Sequence, residues 1–140
     1  MDARIAQVVD DFHFRGPPAQ PEQIARLNDA VGAKLPHEYL NLLRVMDGCE
    51  GPIGKANYVM IMSIGNVILG LEGDLVHETF PGVVVFASDG GDIAYGFDTR
   101  VPDMPIVETS FSDPTAFPPR VVGTSLLEWL EYLIAYEPGQ

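Results

Sequence analysis

At 140 residues the chain has room for one domain with a buried core and not for two. Hydrophobic residues make up 46% of it and are spread along its length, which argues against intrinsic disorder. A formal net charge of -12, from 20 Asp and Glu against 8 Lys and Arg, disfavours nucleic acid and anionic membranes as partners and leaves a basic or neutral one.

Ile5, Val8, Val9 and Phe12 recur at helical spacing and predict a first amphipathic helix within Asp2 to Phe14, ended by Gly16-Pro17-Pro18. Pro21 suits the first turn of a second helix with Ile24, Leu27 and Val31 on one face, and Gly32 suits its left-handed C-cap. Pro36 opens a third, bearing Tyr39, Leu42, Leu43 and Met46, which Asp47-Gly48 closes; these two helices are expected to form a helical hairpin. Glycine at every third position from Gly48 to Gly54 predicts a tight irregular loop.

Asn57 to Met62 reads as a strand. Ser63 to Leu71 fits either a helix capped by Ser63 or a buried strand, with the balance toward helix; it is too interrupted to span a membrane. The clearest β signal is a hairpin, Val83 to Phe86 and Ile93 to Phe97 around Ser88-Asp89-Gly90-Gly91-Asp92. Further strands are expected at Pro105 to Thr109 and Arg120 to Val122, around a proline-punctuated loop. The last helix starts on a capping box of Ser125 and Glu128 and carries Leu126, Trp129, Leu130, Leu133 and Ile134 as its apolar face. Helices first, antiparallel strands next and a helix last predict a single α+β domain over residues 1–140. In it a curved, mainly antiparallel sheet has the N-terminal helices and the C-terminal helix packed against one face.

The sequence carries little recognisable catalytic chemistry. The histidines are His13, His37 and His77, none in a catalytic motif. Cys49 lies beside acids that raise a thiol pKa, so it reads as a bystander, and as the lone cysteine it can form no internal disulfide. One Cys and three scattered His do not make a zinc site. Asp89, Asp92 and Asp98 cluster around one hairpin and raise the idea of a metal-dependent hydrolase, but their spacing fits turn chemistry better than a calcium loop. Gly54-Lys55 lacks both the first glycine and the Ser or Thr of a phosphate loop, and no dinucleotide fingerprint occurs. No catalytic residue, cofactor or metal is therefore expected. The N-terminus lacks the basic start and apolar run of a signal peptide, so a reducing cytoplasm is the expected compartment.

What remains is a surface. Residues 47–98 carry eight carboxylates and one base, Lys55, whereas residues 1–46 carry six against five. Acidity of this kind also simply keeps a protein in solution. Trp129 and Tyr39 share helical faces with leucines and belong in the core, while Tyr58 and Tyr95 are candidates for partly exposed aromatic anchors beside the acids.

The order of four segments resembles the SUKH superfamily, the group related to the fungal SMI/KNR cell-wall regulators. Leu35-Pro36-His37-Glu38-Tyr39-Leu40-Asn41-Leu42-Leu43 is similar to its Leu-Pro helix start. Met46-Asp47-Gly48-Cys49-Glu50-Gly51 stands near its Asn-Gly-Gly stretch, with Asp47 for Asn and Cys49 for Gly. Phe86 to Asp98 resembles its hairpin with a Tyr-x-Phe-Asp strand, and Ser125-Leu126-Leu127-Glu128-Trp129-Leu130 its closing helix. The resemblance implies an α+β domain without a catalytic constellation; many bacterial members act as immunity proteins that bind polymorphic toxins, often nucleases. The expectation is then a toxin-neutralising protein docking a basic domain through Asp47, Glu50, Glu72, Asp74, Asp89 and Asp92, with Tyr58 and Tyr95 as anchors. A regulatory scaffold domain is the alternative, and the metal-dependent hydrolase the second.

Overall fold

In the computed structural model, which describes residues 1–137, seven strands form one open sheet in sequential order, each antiparallel to the next. The strands are Phe14–Arg15 (β1), Cys49–Ile53 (β2), Asn57–Ile61 (β3), Val83–Ser88 (β4), Ile93–Asp98 (β5), Ile106–Ser110 (β6) and Arg120–Gly123 (β7). The helices are Ala3–Val9 (α1), Pro21–Val31 (α2), His37–Val45 (α3), Ile64–Gly73 (α4), Leu75–Thr79 (α5) and Leu126–Ala135 (α6). The chain is thus a single α+β domain, as its order of elements predicts.

Side-chain alternation assigns the two faces of the sheet. Val59, Ile61, Val84, Phe86, Tyr95 and Phe97 point into the main core, where they meet Ile5 of α1, Leu27 of α2, Tyr39 and Leu43 of α3 and Trp129 of α6. At its centre Phe86 stacks on Phe97 with ring centroids 4.3 Å apart, and Tyr39 and Trp129 meet Phe86 edge-on. The alternate residues Val83, Val85, Ala94 and Val107 form a smaller cluster on the opposite face, covered by Val76 of α5 with Phe80 and Phe111 at its margin. Helices therefore cover both faces, because the segment from Met62 to Phe80 wraps from one to the other.

Several predicted elements differ in extent. The first helix ends at Val9; Phe12 is still buried, but Phe14 and Arg15 leave the helix to pair with Glu50 and Cys49. The glycine-spaced stretch is not an irregular loop but β2 and its turn. Gly51 sits under Phe12, whose Cα would lie 2.6 Å from an added Cβ, and Gly54 makes the turn at φ 65°. Pro52 is tolerated because β1 pairs only with Cys49 and Glu50, leaving Pro52 with no neighbour on that side. α2 ends on Gly32 in the left-handed region as predicted, yet its main neighbour is α4 rather than α3, so no simple helical hairpin forms. α3 stops at Val45, short of Asp47.

Ser63 caps α4 by accepting from the Asn66 N–H, so this stretch is helix. The short α5, which is not among the elements expected from sequence, starts where the Asp74 carboxylate accepts from the Val76 N–H. In α6 half the capping box forms: Ser125 Oγ accepts from Glu128 N, but the Glu128 carboxylate takes the Thr124 N–H and hydroxyl instead. Ile134 is exposed, not part of the α6 core face. No helix among the described residues is long and apolar enough to cross a membrane.

Candidate partner-binding site

The second face of the sheet is covered over β4 to β6 and, among the described residues, left open over β1 to β3. Register fixes what it displays. Phe14 pairs with Glu50, Glu50 with Met60 and Met60 with Ser88, so these residues form one cross-strand row pointing away from the main core. Tyr58 points to the same side, and its hydroxyl donates to Glu50 Oε2 at 2.6 Å, which raises the Tyr58 pKa above its ordinary value. The outer face of α4 forms the wall beside this floor.

Two hollows open there. One, of about 380 Å³, is lined by Phe14, Asp47, Glu50, Met60, Met62, Ser63 and Asn66 among others. The next, of about 650 Å³, is lined by Met60, Met62, Asn66, Leu69, Gly70, Glu72, Gly73, Asp74 and Ser88. Met60, Met62 and Asn66 belong to both, so the two form one continuous trough. It brings together four of the six predicted carboxylates, Asp47, Glu50, Glu72 and Asp74, and its lining contains no Lys, Arg or His. Asp89 borders it, since the adjoining Gly90 lies against Met60 and Tyr58.

These carboxylates are not neutralised by the cations the structure pairs elsewhere. Arg4 pairs with Glu131, Arg15 with Asp10, Lys55 with Glu137, Arg100 with Asp98 and Arg120 with Glu108. Their partners are instead neutral donors. Asp47 Oδ1 accepts from the Ile64 N–H at 2.7 Å at the start of α4, and Asp74 Oδ1 from the Val76 N–H at 2.7 Å at the start of α5. Asp89 accepts from Gly91 and Ile93 N–H groups, the turn chemistry the sequence implied. Glu72 is exposed, and its carboxylate forms no hydrogen bond or ion pair with the described residues.

Two predicted site residues fall outside the trough. Tyr95 is only 4% exposed: it sits between Ala94 and Gly96 on the core face, its ring 5.2 Å from that of Trp129, and burial pushes its hydroxyl pKa up. It is a core residue, not a surface anchor. Asp92 lines a separate groove of about 530 Å³ with Ile93, Glu108, Phe117 and Arg120. There it accepts from the Ser110 hydroxyl and the Ser112 N–H, and these hydrogen bonds hold its pKa below the usual carboxylate range.

Asp89, Asp92 and Asp98 do not converge. Asp98 is held by the Arg100 guanidinium, with Oδ1 2.9 Å from Nε and Oδ2 3.1 Å from Nη2, and no metal-binding group of three or more His, Cys, Asp or Glu occurs among the described residues. Cys49 is buried in β2; burial pushes its thiol up to about 12, with Glu50 adding to the shift and Arg15 opposing it. Burial, more than neighbouring acid, makes it inert.

The apolar part of the trough is not among the site residues expected from sequence, although a signal for it exists. Helical periodicity places Ile64, Val67, Ile68 and Leu71 on one face of α4 and Leu69 on the other, and Leu69 is 65% exposed. In β3, Met60 alternates with the core residues Val59 and Ile61.

Fold and site together define a small α+β domain with an antiparallel sequential sheet and an acidic, apolar-floored trough. The chain belongs to the SMI1/KNR4 family (SUKH-1), whose profile matches residues 18–132. The domains of this family are immunity-like or regulatory, and it is not a known enzyme family. The match runs from the approach to α2 into α6 and leaves out α1 and β1, and with them Phe14. A comparison with curated proteins finds no match.

Proposed function

We propose that this protein is a cytoplasmic immunity-type protein that binds and neutralises a basic toxin domain, with the trough between the open sheet face and α4 as its docking surface. The observation that carries the reading is the charge of that surface: four carboxylates, no base in the lining, and apolar side chains between them. Nuclease domains are basic because they bind phosphates, so an acidic blocker gains electrostatically steered association and complementarity. Apolar contacts at the centre of such a patch supply the part of the affinity that salt does not screen.

The test is a pull-down and a neutralisation assay with the products of genes adjacent to this one. A neighbouring toxin should be retained and inhibited, association should slow as ionic strength rises, and Glu72→Lys should weaken it. Unchanged association between low and high salt would sink the electrostatic part, and an inert neighbour the immunity part. The separate groove at Phe117, 65% exposed, favours a second reading, a regulatory scaffold, because two surfaces can hold two partners. Retention of two proteins at once, without inhibition of either, would decide for it.

A further inference from the structure

The shape of the trough says more about its occupant than its charge does. Its wall is one face of α4: Asn66, Leu69, Gly70 and Gly73 recur at three- and four-residue spacing, opposite the buried Ile64 and Val67. Ten residues make that wall about 15 Å long. An added Cβ at Gly73 would meet nothing within 4 Å, and one at Gly70 would meet only Asp74, so among the described residues nothing stands against this face at either glycine. The floor is a sheet face whose corresponding surface over β4 to β6 is already covered by a helix, α5. Phe14, 55% exposed, closes the side away from Leu69. A bare helix face beside a bare sheet face is a seat for one further helix, which can pack on both at once.

The chemistry of the seat dictates the surface of that helix. Met60 and Met62, common to both hollows, lie in the middle, with Asp47 and Glu50 at one end and Leu69, Glu72 and Asp74 at the other. An extended segment would place alternate side chains away from the trough, whereas a helix aims residues spaced three and four apart at the same apolar strip. Lys or Arg flanking that stripe would reach the carboxylates, and the two methionines adapt to whatever side chains arrive.

We propose that the trough receives a cationic amphipathic helix of the partner protein, in a helix-in-groove mode. The proposal rests on the reading of the trough as a docking surface and specifies the form of what docks.

The probe is a synthetic peptide of about 14 residues, long enough to follow α4, built from Leu, Lys and Ala with leucines at i, i+3, i+4 and i+7. A control peptide has the same composition with the leucines scattered. Both are titrated into the intact protein near physiological ionic strength, reading affinity by calorimetry and location by amide shifts in heteronuclear NMR. The patterned peptide should bind about tenfold or more tightly than the scattered one, the value of burying one or two leucines. Shifts should map to Phe14, Met60, Leu69 and Gly73. Leu69→Ser and Gly73→Arg, both at exposed positions, should each abolish the preference; two variants guard against one failing to fold.

Equal affinity for the two peptides would overturn the helical form while leaving an acidic docking surface intact. Shifts centred on the Phe117 groove would overturn the location. Absence of binding by either peptide, even at low salt, would overturn this inference and the acidic-trough reading together. The neighbour pull-down tests immunity function independently of all three.

Discussion

Asp47 should behave as a structural residue before it behaves as a binding one. Its carboxylate accepts from the Ile64 N–H at 2.7 Å, its own N–H donates to the Pro17 carbonyl at 2.8 Å, and so it joins the end of α3, the segment after β1 and the start of α4. Asp47→Ala removes a charge-assisted hydrogen bond worth about 1.5–3 kcal/mol, part of it the attraction of a carboxylate for a helix N-terminus. A loss of about 2 kcal/mol follows. With an unfolding entropy of about 2.1 cal/mol/K per residue, or about 0.3 kcal/mol/K for a chain of this size, the melting temperature should fall by about 7 °C.

Asp47→Asn keeps an acceptor and loses only the charge, so it should cost about 0.3–1 kcal/mol, or about 1–3 °C. Thermal melts followed by circular dichroism, with urea titrations to check that the m-value is unchanged, measure both. The order wild type, Asn, Ala is the signature. An Ala variant as stable as wild type would refute the capping argument, and Asn and Ala variants of equal stability would refute the role assigned to charge. This matters for the trough, because a weakened partner in an Asp47 variant reports folding and docking mixed together. Glu72, whose carboxylate has no partner among the described residues, gives the clean readout.

Gly51→Ala places a Cβ 2.6 Å from the Phe12 Cα and should destabilise by about 1–3 kcal/mol through overpacking, whereas Gly73→Ala meets no atom within 4 Å and should stabilise α4 by about 0.5–1 kcal/mol; urea denaturation compares them. Hydrogen bonds from Arg100 hold Asp98 below the usual carboxylate range, as those from Ser110 and Ser112 hold Asp92. In the unfolded chain both return to ordinary values, so their stabilisation is complete above the ordinary Asp pKa and disappears as pH falls through the lower folded-state values. Asp98→Asn should flatten the acid limb of a stability-versus-pH curve, and a limb as steep as that of wild type would contradict this. Cys49, buried and with its thiol pushed up to about 12, should react slowly with Ellman's reagent at pH 8 in the native protein and at once in guanidinium chloride; fast native reaction would contradict its burial.

Where sequence and structure agree, the signal is local. Gly32 ends α2 because a left-handed C-cap needs only that residue, and Ser63 and Ser125 start helices because a cap needs only its own first turn. The β4–β5 hairpin is legible because Asp89 and two glycines make its turn without outside help. The same locality explains the failures. Gly48, Gly51 and Gly54 read as loop because three spaced glycines break local structure, yet Cys49–Ile53 pairs with Asn57–Ile61 as a strand, and Gly51 is there because Phe12, about 40 residues earlier in sequence, packs over it. Tyr95 and Tyr58 look alike in sequence; strand register alone sends one into the aromatic core and the other to the surface.

The sequence by itself determined the class of fold, most helix and strand positions, the acidity of the middle of the chain and the family, because these depend on periodicity, capping and composition within short windows. Only the tertiary structure decided that Asp47, Glu50, Glu72 and Asp74 share one trough while Asp92 faces another groove, and that Phe14, Met60 and Leu69 lie between and beside the acids. The reason is the path of Met62 to Phe80: by covering the second sheet face over β4 to β6 and not over β1 to β3, it selects which residues remain open to a partner, and no local pattern encodes where a chain returns across a sheet.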